Sequence, residues 1–196
     1  VRPDSVYVIP PNTDMTIQHG KLQLLPPTTP RGPRFPINSF FQSLAADRQE
    51  RSIGVILSGM GSDGLLGLQA IKKQAGLTLV QDPATAKFDS MPSSAIGAGA
   101  ADLVAPVEEL PGKIIDYVRH AICGERPAPT FGKGSESSLE KIFVTLRSRT
   151  GHDFSLYKKS TLYRRIERRM GLHQIDRIAS YARYLQENTQ EVELLF

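Results

Sequence analysis

Only one cysteine, Cys123, occurs in 196 residues, which excludes an internal disulfide framework and fits a reducing compartment. Long apolar runs are missing too. Segments such as Gly54-Val55-Ile56-Leu57 and Leu77-Thr78-Leu79-Val80 fall far short of the roughly 20 residues that a bilayer crossing needs. No basic stretch leads into an apolar one at Val1, so no secretory signal is predicted. These absences predict a cytoplasmic chain with no membrane insertion. Charge of one sign is also modest, because 24 Lys and Arg against 20 Asp and Glu leave a net +4, too little by itself to argue for nucleic acid. What is present is a globular composition, 40% hydrophobic and 22% charged.

From residue 5 to about 123, short apolar segments alternate with helical patterns, which predicts an α/β fold, doubly wound around a mostly parallel sheet. Residues 5–9 read as a strand. Residues 14–18 and 21–25 read as an antiparallel hairpin about His19-Gly20, and 26–36 as a proline-rich loop. Asn38 reads as the N-cap of a helix that places Phe40, Phe41, Leu44 and Ala45 on one face. Residues 52–58 read as the clearest buried strand. A helix with Leu65, Leu68 and Ile71 inward follows and stops at Gly76, and a strand over 77–81 completes a βαβ unit. A short helix over 93–99, a strand over 103–105 and a helix over 107–123, with Ile114, Ile115, Val118 and Ile122 inward, end this domain. Residues 124–137 carry Pro127, Pro129, Gly132 and Gly134 without an apolar period and read as a linker. Residues 138–196 are helical in pattern, beginning with Leu139, Ile142, Phe143 and Leu146 at helical spacing, and form a small all-α second domain.

The most informative segment is Gly59-Met60-Gly61-Ser62-Asp63-Gly64, which follows a strand and opens a helix. Its G-x-G-x-x-G spacing, with Asp82 after the next strand, permits a dinucleotide site and hence a nucleotide-dependent oxidoreductase. Asp63 argues against that reading, since its carboxylate would compete with a pyrophosphate for the exposed N–H groups at the helix start. Two roles remain open for Asp63: an N-cap, or a carboxylate that orients a histidine in a Ser-His-Asp hydrolase.

Leu57-Ser58-Gly59-Met60-Gly61-Ser62-Asp63-Gly64 closely resembles the signature Leu-Thr-Gly-Met-Gly-x-Asp-Gly of the chemotaxis receptor methylesterase family, CheB. Val6-Tyr7-Val8-Ile9-Pro10-Pro11, the helix around residues 39–45, and Gln81-Asp82 with Met91-Pro92 extend the resemblance over roughly residues 1–122. It implies that Asp63 is the triad aspartate and that the Met60 backbone N–H is an oxyanion-hole donor. A serine would attack the γ-methyl ester of a receptor glutamate without metal or cofactor. The family's serine and histidine precede the segment that resembles Val6-Tyr7-Val8, so this chain alone is expected to be inactive. His19, His120, His152 and His173 read as surface or turn residues, and Ser58, Ser62 and Ser90 as loop residues. Two positions depart from the family: Asn38 stands for its usual Asp, and Ser90 for the Gly before Met-Pro.

In the second domain Leu162, Ile166 and Met170 recur every four residues, with Tyr163 beside them, and Arg164, Arg165, Arg168 and Arg169 are read on the opposite side. Arginine forks hold carboxylates or phosphates bidentately, so an acidic partner is implied, or else a solvated basic face. A non-catalytic, nucleic-acid-binding scaffold is the corresponding alternative. Thr150-Gly151-His152-Asp153-Phe154 with Arg164-Arg165-Ile166-Glu167-Arg168-Arg169-Met170 resembles the N-terminal domain of the chemotaxis receptor methyltransferase family, CheR, over roughly residues 139–196. The resemblance implies a substrate-recognition role for Arg164, Arg165, Arg168 and Arg169 toward methyl-accepting chemoreceptors, with no nucleic acid involved. The whole is expected to be a methylesterase–methyltransferase fusion, with S-adenosylmethionine needed only by a methyltransferase portion beyond residue 196.

Overall fold

His19 and Gly20 both take positive φ, 50° and 73°, and so form the tight turn that matches the twist of a two-stranded ribbon. The ribbon joins β1 (Asp14–Gln18) to β2 (Lys21–Leu25), antiparallel, in the register Asp14↔Leu25 through Gln18↔Lys21. Met15 and Ile17, two residues apart and therefore on one face, are buried. The ribbon is pinned to α1 (Pro36–Arg48), because Ser43 Oγ accepts from Ile17 N at 3.0 Å and Asp47 Oδ2 from Gly20 N at 3.1 Å. In this computed structural model the described residues are 1–27, 34–119, 135–152, 159–173 and 175–195. They fall into two compact units, Val1–Pro111 and Gly112–Phe196.

In the first unit a parallel sheet runs β3 (Ile53–Ile56), β4 (Leu77–Gln81), β5 (Leu103–Ala105), with Ile53 opposite Leu77 and Leu79 opposite Leu103. Helices α2 (Leu65–Lys73) and α3 (Ser90–Gly97) connect the strands. Ile56, Leu68, Val80, Ala95, Ala100 and Ala101 form the core, with Phe41 and Ile37 of α1 packed on it. Asp102 stitches β4 to the start of β5: its Oδ2 accepts from Thr78 N at 3.0 Å and Thr78 Oγ1 at 2.7 Å. The expected parallel α/β architecture is therefore present.

Several boundaries differ from the sequence expectation. Residues 5–9 belong to no sheet. Among the described residues no neighbouring strand supplies a ladder, and Val6 and Val8 are 93% and 82% exposed. The fully buried strand is β4 rather than β3, whose residues alternate between buried and half-buried because among the described residues it pairs on one side only. Helix α1 begins at Pro36, so Asn38 lies inside its first turn and is not its N-cap. Helix α4 is shorter than expected, Leu110–Tyr117, and Ile115 points outward while Leu110 and Tyr117 are buried. Most of the segment 124–137 lies outside the described residues, and its last residues, from Ser135, are helical.

Helix α2 also ends differently. The left-handed residue is Ala75 (φ 62°), with Ala75 N donating to Lys72 O at 2.9 Å and Gly76 N to Ile71 O at 2.9 Å, a Schellman closure. An L-residue at that position carries a steric cost that glycine avoids. Ala75→Gly is expected to raise stability by about 0.5 to 1 kcal/mol, seen as a higher urea midpoint at unchanged slope.

The second unit is helical: α5 (Ser135–Thr150), α6 (Lys159–Leu172), α7 (Ile178–Glu187) and α8 (Thr189–Leu195). Leu139, Ile142 and Leu146 of α5, Leu162, Ile166 and Met170 of α6, Tyr181 and Leu185 of α7, and Val192 of α8 share one core. Phe143 packs against it, so the apolar spacing predicted for α5 holds. Among the described residues no helix is long and apolar enough to cross a membrane.

Candidate active-site loop and basic helix

The loop of residues 57–64 leaves the C-terminal end of β3, the end at which open parallel sheets carry their functional loops. Gly61 and Gly64 take φ of 85° and 93°, which turns the chain sharply into α2 at little steric cost. A second segment, residues 88–91, is knitted to this loop. Phe88 N donates to Ser58 Oγ at 2.9 Å, Gly59 N to Phe88 O at 3.0 Å and Met91 N to Gly59 O at 3.1 Å. Ser90 Oγ accepts from Gly61 N at 2.9 Å and donates to Gly59 O at 3.3 Å. The buried Gln81 side chain braces the loop from β4, accepting from Ser58 N at 2.9 Å. The amides of Ser58, Gly59 and Gly61 are thus committed internally. Those of Met60, Ser62, Asp63 and Gly64 donate to no acceptor among the described residues. The Met60 side chain is 75% exposed.

Asp63 caps a helix, but not its own. Its Oδ2 accepts from Ile37 N and its Oδ1 from Asn38 N, both at 3.0 Å, so one carboxylate satisfies two first-turn donors of α1. Pro36 has no N–H to offer, and Phe35 at the N-cap makes no side-chain bond, which leaves this work to Asp63. The favour is returned: Asn38 Oδ1 accepts from Gly67 N, in the first turn of α2, at 2.9 Å. Gly67 permits that approach, since a Cβ there would meet Asn38 Cα at 3.2 Å. The start of α1 is capped from the loop that leads into α2 and the start of α2 from α1, and the Asp63 carboxylate is held by two hydrogen bonds within the loop that carries Met60. Two anti-correlated demands are met at once, capping and a fixed direction, with lone pairs on Asp63 still available.

The remaining polar candidates fall into place around this geometry. Asp82 Oδ1 caps a short turn at Ala84 N, 2.9 Å. His19 sits in the hairpin turn and His152 is exposed, while His120 lies outside the described residues. Among the described residues no group of three or more His, Cys, Asp or Glu is placed to hold a metal ion.

In α6 the four arginines part company. Arg169 is 3% exposed and lies in the core: its Nε donates to Glu191 Oε1 at 2.7 Å and its Nη2 bonds Glu191 Oε2. The reading that placed it on the outer face with Arg164, Arg165 and Arg168 is therefore corrected. The reason is helical geometry, since seven residues after Leu162 the wheel returns to within about 20° of it. Arg165 and Arg168 are half-buried, and burial together with the neighbouring Arg169 charge lowers the Arg168 pKa to about 9. The Arg164 side chain lies outside what the structure describes.

Glu191, which sequence reasoning missed, is the hub of this region. Tyr181 Oη donates to its Oε1 at 2.7 Å, and His173 Nε2 lies 2.8 Å from its Oε2. Burial alone would raise the Glu191 pKa, but the bonds from Arg169, His173 and Tyr181 hold it down at about 2. Burial, and then the Glu191 charge, push the Tyr181 and Tyr184 phenols up. His173 lies in the turn after α6, as expected, and is only half-buried, yet its ring joins this network.

Comparison with known proteins matches residues 1–114 to the family CheB methylesterase and residues 137–196 to the CheR methyltransferase, all-alpha domain. An uncharacterized 104.1 kDa protein of Rhodobacter capsulatus is 37% identical over 98% of this chain, which spans 22% of that protein. A protein-glutamate methylesterase/protein-glutamine glutaminase of Moorella thermoacetica is 46% identical over 43% of this chain and 20% of its own length. The protein of the same name from Thiobacillus denitrificans is 34% identical over 64% of this chain and 36% of its own. The chain thus spans about a fifth to a third of the curated relatives it matches. The crystal structure of the Thermotoga maritima CheB methylesterase catalytic domain superposes with a TM-score of 0.50 at 29% identity, covering 56% of this chain and 60% of that one. A parallel sheet with a glycine loop at the end of β3, matched in sequence and in fold, places this chain in the CheB methylesterase family, with a CheR-type all-α segment following the methylesterase portion.

Proposed function

We propose that this chain is part of a cytoplasmic protein-glutamate methylesterase that hydrolyses γ-methyl esters of chemoreceptor glutamates, with Asp63 as the triad acid and Met60 N–H as an oxyanion donor. The observation that carries the reading is the side-by-side placement of a carboxylate fixed by two helix N–H bonds and an uncommitted amide, Met60 N–H, in one loop at a strand end. Serine Oγ and a histidine would come from a segment before Val1. As the serine oxygen bonds to the ester carbon its proton passes to the histidine, the developing oxyanion meets Met60 N–H, and methanol leaves with that proton from the imidazolium that Asp63 stabilises. Water then attacks the acyl-serine and releases the glutamate carboxylate. The chemistry as proposed uses side chains and water.

The helical unit is proposed to present Arg164, Arg165 and Arg168 to the acidic helices of the same receptors. Arg169 has a structural task instead. A methyltransferase portion using S-adenosylmethionine would follow, which makes the whole protein bifunctional. The test is methanol release by the full-length protein from receptors carrying isotope-labelled glutamyl methyl esters. Turnover well above the uncatalysed rate is expected, and a folded full-length protein that releases no label would overturn the reading.

A further inference from the structure

The amide that matters, Met60 N–H, belongs to the same peptide unit as Gly59 C=O. A trans peptide is planar, so whatever fixes the direction of that carbonyl fixes the N–H pointing the opposite way. Gly59 O is held by Met91 N at 3.1 Å and by the Ser90 hydroxyl at 3.3 Å. The next peptide unit, Met60 C=O with Gly61 N–H, is held as well, because Gly61 N donates to Ser90 Oγ at 2.9 Å. One hydroxyl therefore grips both peptide planes that flank Met60. Its single proton goes to Gly59 O while one of its two lone pairs receives Gly61 N–H, so one hydroxyl makes both bonds without a second proton. Ser90 is itself anchored as the first residue of α3, and its carbonyl accepts from Ser94 Oγ at 2.7 Å.

We propose that Ser90 is a positioning residue for the oxyanion donor: its bridge between Gly59 O and Gly61 N sets the direction of Met60 N–H. The inference rests on the reading of Met60 as that donor and goes beyond it. Without the hydroxyl, Gly59 O keeps only the Met91 bond and Gly61 N–H is released, so both planes about Met60 can rotate. Donors act on the transition state only when already aimed, so misdirection lowers kcat and leaves substrate binding alone.

The experiment uses the full-length protein in the labelled-methanol assay. Ser90→Ala is expected to lower kcat by about tenfold with KM unchanged, a fraction of what deleting an oxyanion donor costs. Ser90→Thr, which keeps the hydroxyl, is expected to restore it. Hydrogen exchange at the Gly61 amide should speed up in Ser90→Ala and not in Ser90→Thr. A third variant replaces the Met60 amide by a backbone ester, which removes that N–H and also weakens Gly59 C=O as an acceptor, and is expected to lose about a hundredfold in kcat, well beyond the Ser90→Ala loss. If the ester variant falls and Ser90→Ala does not, the Ser90 inference is wrong and the Met60 reading stands. If the ester variant keeps its kcat, the Met60 reading itself is wrong. A Ser90→Ala loss that appears in KM, or that threonine fails to rescue, also overturns the positioning role.

Discussion

Asp63→Asn in the full-length protein is expected to lower kcat for methyl-ester hydrolysis by about 10³ to 10⁴ while costing only about 1 kcal/mol of stability. The two effects separate because the observed capping role and the proposed triad role ask different things of the carboxylate. Toward α1 it accepts two backbone N–H bonds, from Ile37 and Asn38. An asparagine oxygen can still accept one of them, and the positive end of α1 loses only a charge interaction of a few tenths to about 1 kcal/mol. Toward the imidazole of the proposed triad the change is more severe. An amide stabilises no imidazolium, and its NH₂ face selects the wrong tautomer, so the base is lost even though the loop keeps its shape. Asp63→Ala should show the contrast, with a similar loss of activity and a larger loss of stability because both α1 donors go unanswered. A variant Asp63→Asn that keeps kcat within about tenfold of wild type would reduce Asp63 to a helix cap.

How much of this was legible beforehand depends on where the determining information lies. The hairpin about His19-Gly20, the strands at 77–81 and 103–105 and the apolar faces of α2 and α5 were readable, because each is set by neighbours a few residues apart. Asp63 stood out in the sequence as a carboxylate where the loop turns into a helix, and the structure gives it a capping role. Its cap role was read onto the wrong helix, since the partner donors, Ile37 and Asn38, are over twenty residues away and only the fold brings them near. The same distance hid the Ser90 bridge. Residues 5–9 are a β-branched and aromatic run that suits a strand, but a strand needs a partner that the local pattern does not supply. Arg169 is a different failure, of arithmetic on the wheel: its position beside Leu162 was in the sequence, and the abundance of arginine around it obscured that.

Arg169→Ala is expected to destabilise the helical unit by about 3 to 5 kcal/mol, the cost of leaving a buried carboxylate without its partner. Arg169 and Glu191 are both 3% exposed at the side chain, so water does little to compensate either group when the other is removed. Tyr181 and His173 remain on Glu191 but supply no fixed positive charge comparable to the guanidinium. Replacing both partners by uncharged groups, Arg169→Met with Glu191→Gln, should recover much of the loss, because no isolated charge is then buried. The pair also carries an acid signature. Glu191 ordinarily titrates near 4.5 and is held at about 2 in the fold. A depressed carboxyl contributes stability that is fully present above its unfolded pKa and is lost as the pH falls through its folded one. The window is therefore from pH 4.5 down to about 2, and the contribution at stake is about 3 kcal/mol. Hydrogen exchange across Lys159–Leu172 and Thr189–Leu195 should report it, with protection falling in that window in the wild type. In Arg169→Met the carboxyl loses the strongest influence that keeps it ionised, so the same loss should begin at higher pH. An acid transition identical in the two proteins would show that the Arg169–Glu191 pair does not govern the stability of these helices.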